Sequence, residues 1–155
     1  MPRSSRPRKA YRPRGVHPQA HLVAMQGAAR LSIDDRTIWA LELDAAITAV
    51  GRGEATVKQW DAIFAAVALA EQLVIDRLAT DSGVVAAAQE ACRAILLRSG
   101  TRAIRSAELM ALRALQADWI DLLEGLTHAQ KFQAEERIAL RKQSPHNIKV
   151  RKPCP

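Results

Sequence analysis

The interior of the sequence lacks proline: none of the seven prolines in this 155-residue chain lies between residues 19 and 144. Proline removes an amide donor and clashes with the preceding turn, so it interrupts helices. A proline-free stretch of this length therefore marks the region that can fold into helices. Glycines divide that region into pieces of helical length. They are Gly27, Gly51, Gly53, Gly83, Gly100 and Gly125.

Cysteine is also scarce, and long apolar runs are missing. The two cysteines, Cys92 and Cys154, show neither the spacing of a metal site nor a disulfide framework. Cys92 lies in an apolar helical pattern and is predicted to be a buried thiol, whereas Cys154 is expected to be free and exposed. No apolar run reaches the ~20 residues of a membrane span, and none of signal-peptide length follows the basic N-terminus. These absences predict a cytoplasmic protein with reduced thiols.

Recognisable catalytic motifs are missing as well. The sequence contains no Gly-x-Ser-x-Gly motif, no phosphate-binding loop and no Cys/His nucleophile arrangement. His17 and His21 are four residues apart, but Pro18 lies between them and no third metal ligand is near. We therefore predict a protein that is not an enzyme and that needs no metal, cofactor or small-molecule substrate.

Acidic residues are absent from both ends of the chain, whose formal net charge is +7. All 16 acidic residues lie between Asp34 and Glu136. Residues 1–14 carry six basic residues and residues 141–153 carry five, with no acidic residue in either stretch. The interior from 15 to 140 carries 12 basic and 16 acidic residues, a net charge of −4. The basic character of the protein therefore belongs to its ends.

These charge blocks predict the domain organisation. Runs of like charge repel one another, resist folding and often serve as arms that bind polyanions. Residues 1–18 are rich in arginine and proline and are predicted to form a disordered basic arm. Residues 19–143 are predicted to form one helical domain, and residues 144–155 a disordered basic tail.

The stretch from Thr56 to Leu78 is predicted to be the central helix of an all-α, compact bundle of about five helices. Thr56 and Gln59 match a capping box at its start. Alanine and leucine fill most of the remaining positions, which favours packing on more than one side. The apolar residues of one face recur at a spacing of three and four. They are Trp60, Ile63, Phe64, Val67, Val74, Ile75 and Leu78.

Two further helices flank the central one in the sequence. The first is predicted over about 34–50, with Gly51 as its C-cap. The third is predicted from residue 81 or 82 to residue 98. The residues expected to face inward are Trp39, Leu43, Ile47 and Val50 in the first helix, and Val85, Ala88, Cys92, Ile95 and Leu96 in the third.

A fourth helix is predicted to begin near Ser106 as its cap. A last helix over about 128–142 either follows a capping box at Thr127 or continues the fourth. The apolar stripe of the fourth helix fits both a core stripe and a seam that binds a second copy of the chain. Its residues are Leu112, Leu115, Trp119, Leu122 and Leu126.

Two short stretches carry a resemblance to known proteins. The opening Arg8-Lys9-Ala10-Tyr11-Arg12-Pro13-Arg14 and the turn Arg52-Gly53-Glu54-Ala55-Thr56, followed by Trp60-Asp61, resemble small uncharacterised basic helical proteins encoded by bacterial phages, prophages and plasmids. The resemblance implies a mobile genetic element and a bacterial cytoplasm or nucleoid, and it implies no activity. It favours small accessory roles.

Basic ends on a helical domain predict a protein that binds nucleic acid, DNA more than RNA, through phosphate contacts. Tyr11 among the arginines is suited to stacking on a base. An arginine-rich loop between the third and fourth helices forms a third basic segment, near a helix N-terminus that favours anions. The residues expected to contact nucleic acid are Arg6, Arg8, Lys9, Tyr11, Arg12, Arg14, Arg98, Arg102, Arg105, Lys149, Arg151 and Lys152.

An alternative function remains open from the sequence. The helical surface could bind a second copy or a host protein as an inhibitor or regulator, with basic ends that only assist solubility or steering. Attachment to an anionic membrane is less favoured, because no apolar anchor accompanies the basic residues.

Overall fold

The computed structural model describes residues 25–80, 83–98 and 103–143. Five helices of 14 to 20 residues lie within these ranges, and residues 25–28 form a helical turn ahead of them. The predicted all-α bundle is confirmed, and the predicted basic arm and tail lie outside the described ranges. The helices are α1 (Ile33–Arg52), α2 (Val57–Ile75), α3 (Val84–Leu97), α4 (Ser106–Leu122) and α5 (His128–Gln143).

The first four helices form a closed ring. Helix α1 packs on α2, α2 on α3, α3 on α4, and α4 returns to α1. Helix α5 packs on the outer side of α2, which therefore has three helical neighbours. This confirms that α2 is the central helix and that it is packed on more than one side. None of the helices in the described ranges is long and apolar enough to cross a membrane.

The core is a continuous cluster of aliphatic and aromatic side chains at the centre of the ring. The stripe of α4 belongs to it: Leu112, Leu115 and Trp119 are at most 4% exposed. Leu122 and Leu126 are also buried. The core of a single chain therefore accounts for this stripe, which presents no exposed seam to a second copy. Complete burial of one leucine side chain contributes about 1.5–3 kcal/mol.

The start of α2 is the one that the sequence predicts, but its end differs. The backbone amide of Thr56 donates to Gln59 Oε1 (2.8 Å), and the amide of Gln59 donates to Thr56 Oγ1 (3.4 Å), so the capping box is confirmed. The helix ends at Ile75 rather than Leu78, because Arg77 turns the backbone into the left-handed region (φ 59°). Ile75 is 55% exposed, contrary to its predicted place on the packed face.

Three other helix details differ from the prediction. The C-cap of α1 is Gly53 (φ 76°) rather than Gly51. Helix α4 begins at Ser106 itself, with Arg105 as its N-cap. Leu96 is 66% exposed, because it lies about 100° around α3 from the buried Ile95.

Helices α4 and α5 are separate, which answers a question that the sequence left open. A turn at Gly125, whose φ is 78°, divides them. The predicted capping box at Thr127 is confirmed, since its amide donates to Gln130 Oε1 at 2.9 Å. The segment before α1 also holds this turn in place: the Leu31 amide donates to the carbonyl of Leu126 (2.8 Å).

Replacing Arg77 by glycine is expected to stabilise the protein by about 0.5–1 kcal/mol. The left-handed conformation costs a residue with a Cβ about 1–2 kcal/mol, and glycine recovers most of this despite its larger entropy loss on folding. The amide of Leu78 donates to the carbonyl of Leu73 (2.8 Å) and holds the turn in that conformation. Urea denaturation measures the change, with Arg77→Ala as the control that keeps the strain. A glycine variant less stable than the alanine variant would show this account of the turn to be wrong.

Candidate nucleic-acid interface

Of the twelve residues predicted to contact nucleic acid, the structure describes Arg98 and Arg105. The remaining ten lie outside the described ranges, ahead of residue 25, within 99–102, or beyond residue 143. They are Arg6, Arg8, Lys9, Tyr11, Arg12, Arg14, Arg102, Lys149, Arg151 and Lys152.

Arg98 already has an anionic partner within the fold. Its Nη2 atom lies 2.5 Å from Oε2 of Glu108, and the two side chains are 23% and 10% exposed. The same carboxylate oxygen accepts a hydrogen bond from the backbone amide of Arg105 (2.8 Å). The ion pair therefore links the end of α3 to the start of α4. This structural role accounts for an arginine at position 98 whether or not it contacts a phosphate group. The side chain of Arg105 is exposed.

The environment of Glu108 favours its charged form. Burial acts to raise the pKa of this carboxyl group, but the hydrogen bonds from Arg98 and from the Arg105 amide outweigh it, helped by the two positive charges. The net result is a pKa below the ordinary value for glutamate. The ion pair therefore stays intact at neutral pH.

Other basic residues of the helical body are also paired with acids of the same body. Arg93 contacts Glu90 on the surface of α3, where both side chains are at least 70% exposed. The remaining pairs involve α5, where Lys131 lies 2.5 Å from Glu135 of the same helix. Two more join α5 to α2 and its C-terminal end. They are Arg137 with Asp76 and Arg141 with Glu71.

A buried glutamine completes the contact between α2 and α5. Gln72 is 5% exposed and lies in the middle of this polar network. Its Nε2 donates to Asp76 Oδ1 (2.9 Å), and its Oε1 accepts from Arg141 Nη2 (2.5 Å). Arg141, which the sequence places in the C-terminal basic run, is therefore part of the folded body.

The helical body, which is the described ranges taken together, carries almost equal numbers of basic and acidic residues. The described ranges hold 13 basic and 15 acidic residues, and five of the 13 basic residues are in ion pairs with acids. The rest of the chain holds the other ten basic residues and a single acid, Asp81. The excess of positive charge therefore lies almost entirely outside the body.

One end of the body still presents arginines without an acidic partner among the described residues. Here α1 ends beside the first half of α4: a Cβ built at Gly51 would lie 3.3 Å from Leu109 and 4.0 Å from Arg113 Nη2. Arg52 follows directly in the chain, and its side chain and that of Arg113 are exposed. The sequence does not single out Arg52, because it occurs alone in a glycine turn.

Cys92 is expected to be unreactive in the folded protein. Its side chain is buried, and burial raises the pKa of the thiol to about 11, so the nucleophilic thiolate is scarce at neutral pH. In a Cys154→Ser variant, a chromogenic disulfide reagent at pH 8 should titrate Cys92 only after unfolding. Rapid modification of Cys92 in the native variant would contradict the burial.

Comparison of the chain with models of protein families, with curated protein sequences and with solved structures finds no match. The described ranges, with 13 basic and 15 acidic residues, are joined to two strongly basic segments.

Proposed function

We propose that this protein is a non-enzymatic accessory protein that binds nucleic acid, DNA more than RNA, mainly through phosphate contacts from its basic ends. The observation that carries the proposal is the segregation of charge. Residues 1–24 and 144–155 hold nine basic residues and no acidic residue, whereas the described ranges have two more acidic than basic residues. The resemblance in residues 8–14 and 52–61 suggests a mobile genetic element as the setting.

The fold gives the two basic segments separate points of attachment. The turn at 25–28, which follows the N-terminal segment, packs on the first turn of α5: a Cβ at Gly27 would lie 3.4 Å from that of Ala129. The C-terminal segment follows Gln143, the last residue of α5. At 1.5 Å per residue these points are about 20 Å apart. Segments attached at this spacing would contact phosphates about six base pairs apart, and linkage to one body raises their joint affinity.

Binding of this kind has a steep dependence on salt. Each neutralised phosphate releases condensed counterions, so a protein that contacts six to ten phosphates loses about 10³–10⁵ in affinity between 50 and 200 mM salt. Fluorescence anisotropy of the full chain, with a labelled random duplex and the matching single strand, measures this loss. Absence of binding to both probes at 50 mM salt would refute the proposal.

A second candidate function is a helical module that binds a protein. Two large apolar residues on the outer face of α1, Ile38 and Leu41, are 53% and 63% exposed and lie one turn apart. Contiguous exposed apolar patches mark surfaces where proteins associate, and this pair would form the centre of such a patch on α1. Light scattering after size-exclusion chromatography tests the homodimer version. A dimer that Leu41→Glu converts to a monomer would support it, whereas a wild-type monomer at high concentration would exclude it.

A further inference from the structure

Aromatic residues are few in this chain, and two of the five described ones, Trp39 and Phe132, lie in the same groove. Trp60 and Phe64 stack at a centroid distance of 5.8 Å, and Trp119 is 4% exposed, so these three serve the core. Trp39 is half-buried and Phe132 is 66% exposed. Both line a groove between the turn at 25–28, the start of α1 and the start of α5.

The groove has the size and character of a ligand site. Its volume is about 840 Å³, within the range of roughly 300–1,000 Å³ that is usual for small-molecule sites. Its described lining includes small residues nearest the N-terminal turn, the rings of Trp39 and Phe132, and the polar side chains of His128, Lys131 and Glu135. Lys131 Nζ lies 4.4 Å from the ring centroid of Trp39 and is held by Glu135. Phe132 is therefore the more open of the two rings.

We infer that the groove receives an unpaired base of a single-stranded nucleic acid, stacked on Phe132; this rests on the proposed function. The basic N-terminal segment joins the body at Met25, next to Gln26 and Gly27 of the groove wall. The six cations of that segment lie within residues 3–14, and ten residues separate them from Met25, a length of chain that lets a strand bound by the cations reach the groove. Every base has a π-face that stacks on an aromatic ring, so such binding is tolerant of sequence.

The geometry selects single strands over duplex. In a duplex both faces of each base are covered by its neighbours, whereas the bases of a single strand can be splayed out and stacked on side chains. Gln26 and Glu135 at the rim can accept or donate hydrogen bonds to the edge of an inserted base. Lys131 and Glu135 neutralise each other in the groove, and His128 Nε2 lies 3.9 Å from Asp35 Oδ2.

The test compares Phe132→Ala with wild type in the full chain, by anisotropy with one labelled single strand and its duplex at 100 mM salt. Loss of one stacking contact should weaken single-strand binding by about 5–20-fold and leave duplex binding within about twofold. Phe132→Tyr should retain wild-type affinity because it keeps the ring. The matched control is Leu140→Ala, which removes an apolar side chain of the same helix that is 57% exposed, outside the groove. It should bind both probes as wild type does.

Tryptophan fluorescence gives a second, independent measurement. A base stacked in the groove should quench part of the emission of the wild-type protein, and Trp39→Phe should remove that part. Unchanged single-strand binding by Phe132→Ala, as expected if the groove takes a protein segment instead, would overturn the inference and leave the proposed function standing. An equal loss for both probes would also overturn it. If wild type binds neither probe, the proposed function itself fails.

Discussion

Replacing the six basic residues of residues 1–14 by glutamine is expected to weaken duplex binding by about 100-fold or more at 100 mM salt. The two ends together hold nine basic residues, so a fully engaged protein has a slope of log affinity against log salt near −8. The variant retains the three basic residues of the C-terminal end, so its slope of log affinity against log salt should be only about −3. Anisotropy titrations at a series of salt concentrations measure both the affinity and the slope.

The matched control neutralises basic residues of the body instead. Lys58 and Arg77 are exposed, and neither forms an ion pair with a described residue. A Lys58→Gln, Arg77→Gln variant should bind duplex within about threefold of wild type, since neither residue belongs to the basic ends. An affinity loss per charge as large as that of the N-terminal variant would contradict the proposal, because it would mean that the body contacts the phosphates as much as the ends do.

Replacing Glu108 by alanine is expected to lower the free energy of unfolding by about 2–4 kcal/mol at pH 7. The substitution leaves the largely buried Arg98 guanidinium without its anionic partner and removes the acceptor for the Arg105 amide. Because the pKa of Glu108 is lowered in the folded protein, its contribution is complete above the unfolded value of about 4.3 and is lost as the pH falls through the folded value. Urea denaturation should show a smaller difference in the free energy of unfolding between wild type and Glu108→Ala at pH 3 than at pH 7.

Glu90→Ala is the control for this ion pair. Glu90 and Arg93 are 71% and 70% exposed, and exposed pairs contribute about 0–1 kcal/mol. Equal losses of stability for Glu90→Ala and Glu108→Ala would contradict the structural role given to Arg98. Folded Glu108→Ala protein should also bind duplex at least as well as wild type, because it carries one negative charge fewer.

The sequence predicts the helices well because their cause is local. Proline exclusion, apolar spacing and the capping boxes at Thr56 and Thr127 each depend on residues that are close together in the chain. The structure confirms the helices and both capping boxes, whereas Ile75 and Leu96 depart from the predicted apolar face.

Helix ends are less predictable. Gly51 and Gly53 are equally able to adopt a left-handed conformation. In the structure Gly51 stays helical beside Leu109 of α4, and Gly53 takes the left-handed conformation.

Polar contacts between helices could not be predicted from spacing. From the sequence, Arg98 is predicted to be one of several arginines free to bind nucleic acid, because its partner Glu108 lies ten residues away across a loop. No local pattern in the sequence predicts that Gln72 is buried, because it is α5 that covers it. The groove of Trp39 and Phe132 has the same origin, since it exists only where the start of α5 returns to the start of α1.

Lysine footprinting of the full chain tests the central claim most directly, because the six lysines divide evenly between the ends and the body. Acetylation with and without bound duplex, read by mass spectrometry, reports the protection of each lysine. We expect duplex to protect Lys9, Lys149 and Lys152, and to leave Lys58 as reactive as in the free protein. Protection of Lys58 with unchanged reactivity at the three terminal lysines would contradict the account and place the interface on the helical body.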